Sequence, residues 1–277
     1  MAILAISRQM SAVDENLIKK MADTLGYTYI DRRMIRQRME KIGYPSEQFN
    51  KYDEVKPRFF SFFSKDRENY VNYLKEAICS ECINADMNCV FAGRAAFHIL
   101  KDIPSCVSVR LVADGWTRLE RATKEFNIDM KTAKKKLLRS EMDKYGYYKL
   151  YFKLKLSDET LFDLVLNTTN MTEDAIMQTI IDFLKNNVTE EDERISKEKI
   201  NDLRIGQLIV SLLFNAYDVN VSNFNADVQG KTVTLSGITD TSGTIEYIKK
   251  ILSCELPAYK IISNISAVQD SMSPSRR

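Results

Sequence analysis

Apolar positions at two different spacings divide most of the chain into alternating strands and helices. Ala2 to Ile6 is an uninterrupted apolar run, which is typical of a buried strand. From Asp14 to Leu25 the apolar residues recur at every third or fourth position, and this spacing predicts an amphipathic helix. The alternation continues to residue 187. It predicts an α/β domain over 1–187 in three layers, with a mainly parallel sheet covered on both faces.

Turn and capping residues mark the later elements of this domain. Gly26 is placed to stop the first helix, and Asp31 is placed to cap a basic helix over 32–42. The basic stretch 130–151 predicts two helices hinged near Gly146. Residues 43–65 predict no regular element, and we expect their aromatic run 59–63 to pack back on the core rather than form an exposed contact surface. The other predicted elements are strands at 27–30, 89–92, 105–112 and 162–167, and helices at 68–86, 114–123 and 172–186.

The pattern changes after a charged, apolar-poor run at 188–198, which is typical of a linker. Beyond it the spacing predicts a helix at 199–217, strands at 219–224 and 232–237, a helix at 241–254 and a strand at 259–268. The order αββαβ predicts a separate, small α+β domain over 199–268. Residues 269–277 form a polar tail that we expect to be disordered.

Composition and charge restrict the setting and the partners. Forty basic residues against 38 acidic ones give a net charge of +2, so nucleic acid is not an expected partner. No apolar run approaches the roughly 20 residues that cross a bilayer. The first residues also lack the basic and apolar blocks of a signal peptide. The sequence therefore predicts a cytoplasmic protein with no transmembrane segment.

The number and placement of the cysteines and the single histidine argue against metal binding and histidine-based catalysis. Five cysteines are an odd number, which indicates reduced thiols. Cys79 and Cys82 could form half of a metal site, but they lie on the apolar stripe of a predicted helix and we favour core packing. His98 is the only histidine, which argues against zinc sites and most histidine-based catalysis. No metal site is predicted.

The first strand, turn and helix occupy the position of a phosphate-binding loop in nucleotide-binding α/β proteins. Such a loop needs glycines, so that backbone N–H groups can close on phosphate oxygens, and it usually carries a lysine. Residues 7–14 contain neither. Asp14 and Glu15 instead place two carboxylates at the helix start, where they suit the helix dipole but repel phosphate.

Six segments, in this order, resemble the cytidylate kinase-like family. They are Ile6-Ser-Arg-Gln9, Leu25-Gly-Tyr-Thr-Tyr-Ile-Asp-Arg32, Gly93-Arg94, Val109-Arg-Leu-Val-Ala113, Asp143-Lys144 with Tyr147-Tyr148, and Asp163-Leu-Val-Leu-Asn-Thr168. The resemblance covers about residues 1–186. It implies a nucleoside-monophosphate kinase fold of the P-loop type, with a phosphate loop, a monophosphate-binding region and a mobile lid that carries arginines.

The resemblance also assigns roles to individual positions. The family's Gly-Ser-Gly-Gly loop falls on Ser11-Ala12-Val13-Asp14, after Ser7 and Arg8, so none of its three glycines is present. The lid's Asp-Lys-x-Arg falls on Asp143-Lys144-Tyr145-Gly146, so the lid arginine has become glycine. No catalytic residue is predicted. The predicted ligand-binding positions, for an acceptor phosphate or nucleotide, are Asp31, Arg32, Arg94, Arg110, Arg118, Arg121 and Lys144.

The predicted C-terminal domain resembles a BON domain. The pieces that carry this resemblance are Val219-Asn-Val-Ser222, Gly230-Lys-Thr-Val-Thr-Leu-Ser-Gly237, and the helix and strand that follow them. The resemblance implies a small binding or assembly module, which would recognise a protein partner. This stretch offers no paired carboxylates, no histidine and no nucleophile beside a base.

Three functions fit these observations. The first is a degenerate kinase that has lost ATP transfer and serves as a ligand-sensing or interaction platform, with a nucleotide or small anion as ligand and no cofactor. The second is a working enzyme that transfers phosphate from ATP to CMP with Mg²⁺ as cofactor. The third is a structural protein that assembles through its aromatic run and its C-terminal domain, and it could be an oligomer. We prefer the first, because the missing glycines and the missing lid arginine affect the same function.

Overall fold

The computed structural model describes residues 1–49 and 64–268, except for the side chains of 64–66. The aromatic run 59–63 and the tail 269–277 lie outside the described residues. The strands are β1 Ile3–Arg8, β2 Thr28–Ile30, β3 Cys89–Ala92, β4 Cys106–Val112, β5 Leu164–Asn167, β6 Ser222–Gln229, β7 Thr232–Thr239 and β8 Lys260–Ala267. The helices are α1 Glu15–Leu25, α2 Arg32–Lys41, α3 Ser64–Asn84, α4 Ala96–Ile99, α5 Gly115–Phe126, α6 Met130–Phe152, α7 Glu173–Asn187, α8 Glu190–Ser211 and α9 Ser242–Glu255.

A five-stranded parallel sheet forms the centre of the first domain. Its strand order is β2-β3-β1-β4-β5, so the chain builds one side of β1 before it crosses to the other. In open α/β sheets such a crossing leaves a crevice beyond the carboxyl ends of the strands, and ligands bind there. The carboxyl end of β1 therefore marks the region to search for a site.

Successive residues of β1 face opposite sides of the sheet, as the period of a strand requires. Ile3 and Ala5 belong to a core that α2, α3, α4 and α6 complete. Leu4 and Ile6 belong to a second core that α1 and α7 complete. The predicted α/β fold, a mainly parallel sheet between two helical layers, is confirmed.

The predicted caps of the first helices are also confirmed. Gly26 ends α1 in the left-handed conformation with φ +68°. The carboxylate of Asp31 accepts a hydrogen bond of 2.8 Å from the backbone N–H of Met34 and begins α2.

Helix α6 does not break at Gly146, so the predicted hinge is wrong. A glycine in a helix interior costs about 1 kcal/mol relative to alanine. The side chains beside it outweigh that cost, because Tyr147 and Tyr148 are buried against each other and against Tyr70 and Phe97. Burial of several aromatic rings contributes more than one unfavourable backbone position removes.

The charged run 188–198 is largely helical, and the start predicted at residue 199 for the next helix is too late. Thr189 and Asp192 form a reciprocal capping box that begins α8 at Glu190. Ser196 is fully buried, and its hydroxyl accepts a hydrogen bond of 2.8 Å from the backbone N–H of Ser105. One buried polar contact and a cap therefore order a segment whose composition alone is typical of a linker.

The C-terminal region forms a second, small mixed sheet in the predicted αββαβ order. Strands β6 and β7 are antiparallel, and β7 and β8 are parallel. The first of these strands begins at Ser222 rather than 219, although Val219 and Val221 are still buried in this core. A Cβ at Gly206 of α8 would collide with the carbonyl oxygen of Ala226, so the helix backbone lies directly on β6. Among the described helices, none is both long and apolar enough to span a bilayer.

Candidate functional site

The carboxyl ends of the five parallel strands place the predicted site residues in one region. Ser7 and Arg8 end β1, Asp31 follows β2, and Arg94 follows β3. Arg110 lies on the central part of β4, and its guanidinium donates to the hydroxyl of Ser7 over 2.6 Å. These side chains lie close together because parallel strands end at one edge of a sheet.

The turn between β1 and α1 has a compact, partly buried conformation. Ser11 has φ +57°, the left-handed conformation that favours glycine. Its hydroxyl donates to the carboxylate of Glu125 over 2.7 Å. Ala12 and Val13 are 0% and 5% exposed, and Val13 packs in the core with α1 and α7. Asp14 caps α1 by accepting from the N–H of Asn16.

Three basic side chains donate to backbone carbonyls of β1 and this turn. Arg8 donates to the carbonyl of Val13 over 2.9 Å and pairs with Glu15 over 2.8 Å. Lys144 donates to the carbonyl of Arg8 over 2.9 Å. Arg121 donates to the carbonyl of Ala12, and it reaches the Thr168 carbonyl at 3.0 Å. Cations from α5 and the strand end thus contact the turn itself, and one from α6 contacts the last residue of β1.

Arg94 stands in an unusual turn at the end of β3. Gly93, Arg94 and Ala95 have φ values of 86°, 59° and 56°, so three successive residues adopt the left-handed conformation. Such backbone is costly for residues other than glycine, and it clusters at functional sites. Arg94 is 3% exposed, and its guanidinium donates to the hydroxyl of Tyr70 over 3.3 Å.

A cleft of about 220 Å³ connects Arg94 with the end of β1, and we call it the Arg94 cleft. Its polar lining comes from both the strand ends and helix α6. The predicted ligand-binding residues in it are Asp31, Arg32, Arg94 and Lys144, together with Ser7 and Arg8 of the turn region. Glu15 and Tyr148 also line it, and neither was predicted as a ligand contact.

Arg110, Arg118 and Arg121 lie outside the Arg94 cleft. Burial lowers the pKa of Arg110, and the neighbouring Arg118 lowers it further, while Tyr148 and Glu141 act in the opposite direction. Arg118 is 6% exposed and pairs with Glu141. Arg121 lines a separate cavity of about 420 Å³ with Ser11, Ala12, Val13 and Asp14.

The carboxylates around the turn could not be found from the sequence. Glu125 lies 114 residues from Ser11, and Glu141 lies 23 residues from Arg118, so no local spacing connects either pair. The sequence predicts for Glu15 a favourable place at the helix start and repulsion of phosphate, but not its ion pair with Arg8. Glu15 also accepts a hydrogen bond from the hydroxyl of Tyr29, whose pKa is raised by burial and by this carboxylate.

Cys79 and Cys82 lie in the core of the first domain, and His98 packs against an aromatic ring. Cys79 and Cys82 are 1% and 0% exposed, as core packing predicts, and burial raises the pKa of Cys79 to about 12. His98 lies edge-on to Phe152. Burial lowers the pKa of His98, and the nearby Lys101 and Lys75 lower it further.

His98 predicts a dependence of stability on pH. Because its pKa is lower in the folded protein, the unfolded chain binds the proton first, and stability falls as the pH drops below about 6.5. We expect His98→Gln to flatten the change of the urea midpoint over about pH 5–7. An unchanged slope in the variant would contradict this assignment.

Ser11 predicts an unusual ranking of two substitutions. Ser11→Gly and Ser11→Ala both remove the hydrogen bond to Glu125, but only glycine relieves the left-handed backbone. The glycine variant should therefore be more stable than the alanine variant by about 1 kcal/mol. Urea unfolding of the two variants measures the difference, and equal midpoints would show that position 11 does not require this conformation.

The parallel sheet, its strand order and the residues gathered beyond the carboxyl end of β1 define an α/β protein of the nucleotide-kinase type. The chain belongs to the cytidylate kinase-like family, since the sequence model of that family matches residues 3–170.

Related proteins agree with this assignment. The cytidylate kinase of Pyrococcus furiosus is 26% identical over 186 residues, which cover 66% of this chain and 89% of that protein. The cytidylate kinase of Sulfurisphaera tokodaii is 27% identical over 184 residues, 66% of this chain and 94% of that protein. A solved structure of an uncharacterized protein from Eubacterium ventriosum has 17% identity and a TM-score of 0.52, and the match covers 67% of this chain and 99% of that chain.

Proposed function

We propose that this protein binds a phosphate-bearing ligand in the Arg94 cleft and does not transfer phosphate from ATP. The observation that carries the proposal is the set of hydrogen bonds within the turn after β1. Arg8 donates to the carbonyl of Val13 and Arg121 donates to that of Ala12, while Lys144 donates to the carbonyl of Arg8 at the end of β1. Arg8 and Arg121 are thus used by the backbone of the turn, where a working enzyme would use such cations on phosphate oxygens, whereas Lys144 has further N–H groups for the Arg94 cleft.

The residues of the turn do not fit Mg·ATP. A phosphate cradle presents backbone N–H groups toward the ligand, and side chains at its positions obstruct the close approach of backbone and phosphate. Ala12 and Val13 carry buried side chains here, and the carbonyls of both accept bonds from arginines. Asp14 and Glu15 add negative charge at the start of α1. Neither position supplies a group that would attract the triphosphate.

The Arg94 cleft fits a monophosphate better than the turn does. It combines Arg32, Arg94 and Lys144 with the hydroxyl of Ser7, and these groups are the donors that phosphate oxygens accept. The left-handed backbone at residues 93–95 fixes Arg94 within it. Related proteins in the family are cytidylate kinases, so CMP is the first ligand to test.

We further propose that the C-terminal sheet is a BON-like contact module. Its αββαβ order and the segment Val233-Thr-Leu-Ser-Gly237 support this, as does the lack of catalytic groups in it. A protein partner bound to the C-terminal module would then respond to ligand binding in the first domain. The chain would thus act as a ligand-sensing platform.

Calorimetric titration of the full chain with CMP and with Mg·ATP tests the proposal. We expect heat from CMP and none from Mg·ATP. Arg94→Met should weaken CMP binding by about tenfold or more, since a charge-assisted contact to phosphate contributes at least 1.4 kcal/mol. Arg94→Lys should weaken it less, because it keeps the charge. Arg139→Met is the matched control, since the side chain of Arg139 on α6 is 81% exposed.

Each alternative function gives a different outcome. Turnover of CMP with ATP, lost in Arg94→Met, would establish a working kinase and overturn the proposal. Binding of neither ligand by a chain with normal circular dichroism would favour a structural protein and would also overturn it.

A further inference from the structure

We infer that a second ligand site lies near the amino ends of the sheet strands, opposite the Arg94 cleft, where the C-terminal region packs on the first domain. The cavity there has a volume of about 850 Å³ and includes residues 101–103, which precede the amino end of β4. It is therefore separate from the Arg94 cleft at the carboxyl ends. The structure assigns it a small organic anion with an aromatic or apolar body.

Both parts of the chain build this cavity. The first domain supplies Lys75 of α3, the segment 98–103 and residues 151–153 at the end of α6. The C-terminal region supplies α8 and residues 225–230 of β6 and its turn. The size lies within the range of about 300–1,000 Å³ that is usual for small-molecule sites.

Three of the four lysines that line the cavity have ammonium groups without a partner among the described residues. In the part of the chain that the structure describes, the ammonium groups of Lys75, Lys101 and Lys153 form no ion pair or hydrogen bond. The fourth lysine, Lys199, donates to the carbonyl of Asp102 over 3.0 Å. Burial lowers the pKa of Lys75, which is the cost of holding an ammonium group away from water. An anion bound beside these lysines would offset that cost.

The carboxylates in the cavity are for the most part already engaged. Asp202 accepts from the N–H of Gly230 over 2.9 Å, and Asp227 accepts from the amide of Gln229 over 3.0 Å. Glu198 pairs with Arg194 over 3.3 Å. The fourth, Asp102, lies near His98 and raises its pKa. Three of the four carboxylates therefore have a donor already, while the ammonium groups of Lys75, Lys101 and Lys153 keep N–H groups that an anion can accept.

The remaining lining selects the body of the ligand. Ile99, Ile103, Phe152 and Leu203 give the cavity an apolar wall suited to a ring or chain. The side-chain oxygen of Gln207, a residue that is 4% exposed, has no hydrogen-bond partner among the described groups. A buried acceptor of this kind is costly unless something donates to it, so a ligand hydroxyl or amide would satisfy it. The three features together describe an amphipathic anion.

Anilinonaphthalene sulfonate is a suitable probe, because it joins an aromatic body to one negative charge. We expect the full chain to bind one equivalent, with fluorescence enhancement. Uncharged anilinonaphthalene should bind about tenfold more weakly, since it lacks the contact with the lysines. Lys75→Met and Lys101→Met should each weaken binding of the sulfonate probe by about tenfold. Lys185→Met removes an exposed lysine of α7 and is the matched control.

The measurement separates this site from the Arg94 cleft and from misfolding. Arg94→Met should leave the affinity for the sulfonate within about twofold of the wild-type value, whether or not it weakens CMP binding. Circular dichroism and urea midpoints check that each lysine variant folds. The inference is overturned if charged and uncharged probes bind equally, if both lysine variants bind normally, or if several probe molecules bind without saturation.

Discussion

Arg121→Met is expected to lower the free energy of unfolding by about 2–3 kcal/mol, because hydrogen bonds to a charged donor contribute about that much and their loss leaves acceptors unsatisfied. The Arg121 guanidinium contacts the carbonyl of Ala12 and both the hydroxyl and the carbonyl of Thr168. It thus joins the turn after β1 to the segment after β5. Urea unfolding, followed by circular dichroism, measures the change.

Arg139→Met provides the comparison on the neighbouring helix. Arg139 is exposed, and its pair with Asp143 spans 3.8 Å, so its loss should change stability by less than about 0.5 kcal/mol. If Arg121→Met were equally neutral, the guanidinium would not hold the turn and would be available to an incoming anion. Such a result would favour a turn that can still accept the phosphates of ATP.

Val13→Gly introduces a glycine where the resemblance to the family predicts one, and it should destabilise the protein by about 2–4 kcal/mol. Val13 is 5% exposed and packs between α1 and α7. Loss of a buried valine side chain costs about 1.5–3 kcal/mol. The added backbone freedom of glycine costs a further 0.5–1 kcal/mol or so, since Val13 lacks the positive φ that would favour glycine. Thermal and urea unfolding both report this change.

Val13→Ala separates the two contributions, because it removes most of the side chain and keeps the restricted backbone. We expect it to lie between the wild type and Val13→Gly. Stability that is unchanged or improved in Val13→Gly would indicate that position 13 is still suited to the family's glycine. Such a result would favour a working phosphate loop.

The local patterns predicted the first domain well. The strand at the start of the chain, the stop at Gly26 and the cap at Asp31 depend on residues within a few positions of each other. Hydrophobic spacing and capping chemistry act over this same range, so they were readable from the sequence. The neighbourhood of Ser7, Asp31 and Arg94 followed from the strand ends in the same way.

The contacts that decide the chemistry depend on distant parts of the chain. Arg121 meets Ala12 across 109 residues, and Lys144 meets Arg8 across 136 residues. The residue types show that these side chains are charged, but they do not show which groups the side chains contact. The sequence alone therefore could not distinguish a cation that is hydrogen-bonded to the turn from one that is available to bind phosphate. The continuous helix through Gly146 has the same origin, since distant aromatic rings stabilise it.

Helix α8 belongs to two cores at once, and this affects any attempt to divide the protein. Ile200 packs with the first domain, whereas Ile209 and Val210 pack with the C-terminal sheet. A fragment that stops at residue 198 would lose a side chain from its own interior, and a fragment that starts there would expose that side chain to water. Each half therefore needs the whole of this shared helix, and the two halves should melt as one unit.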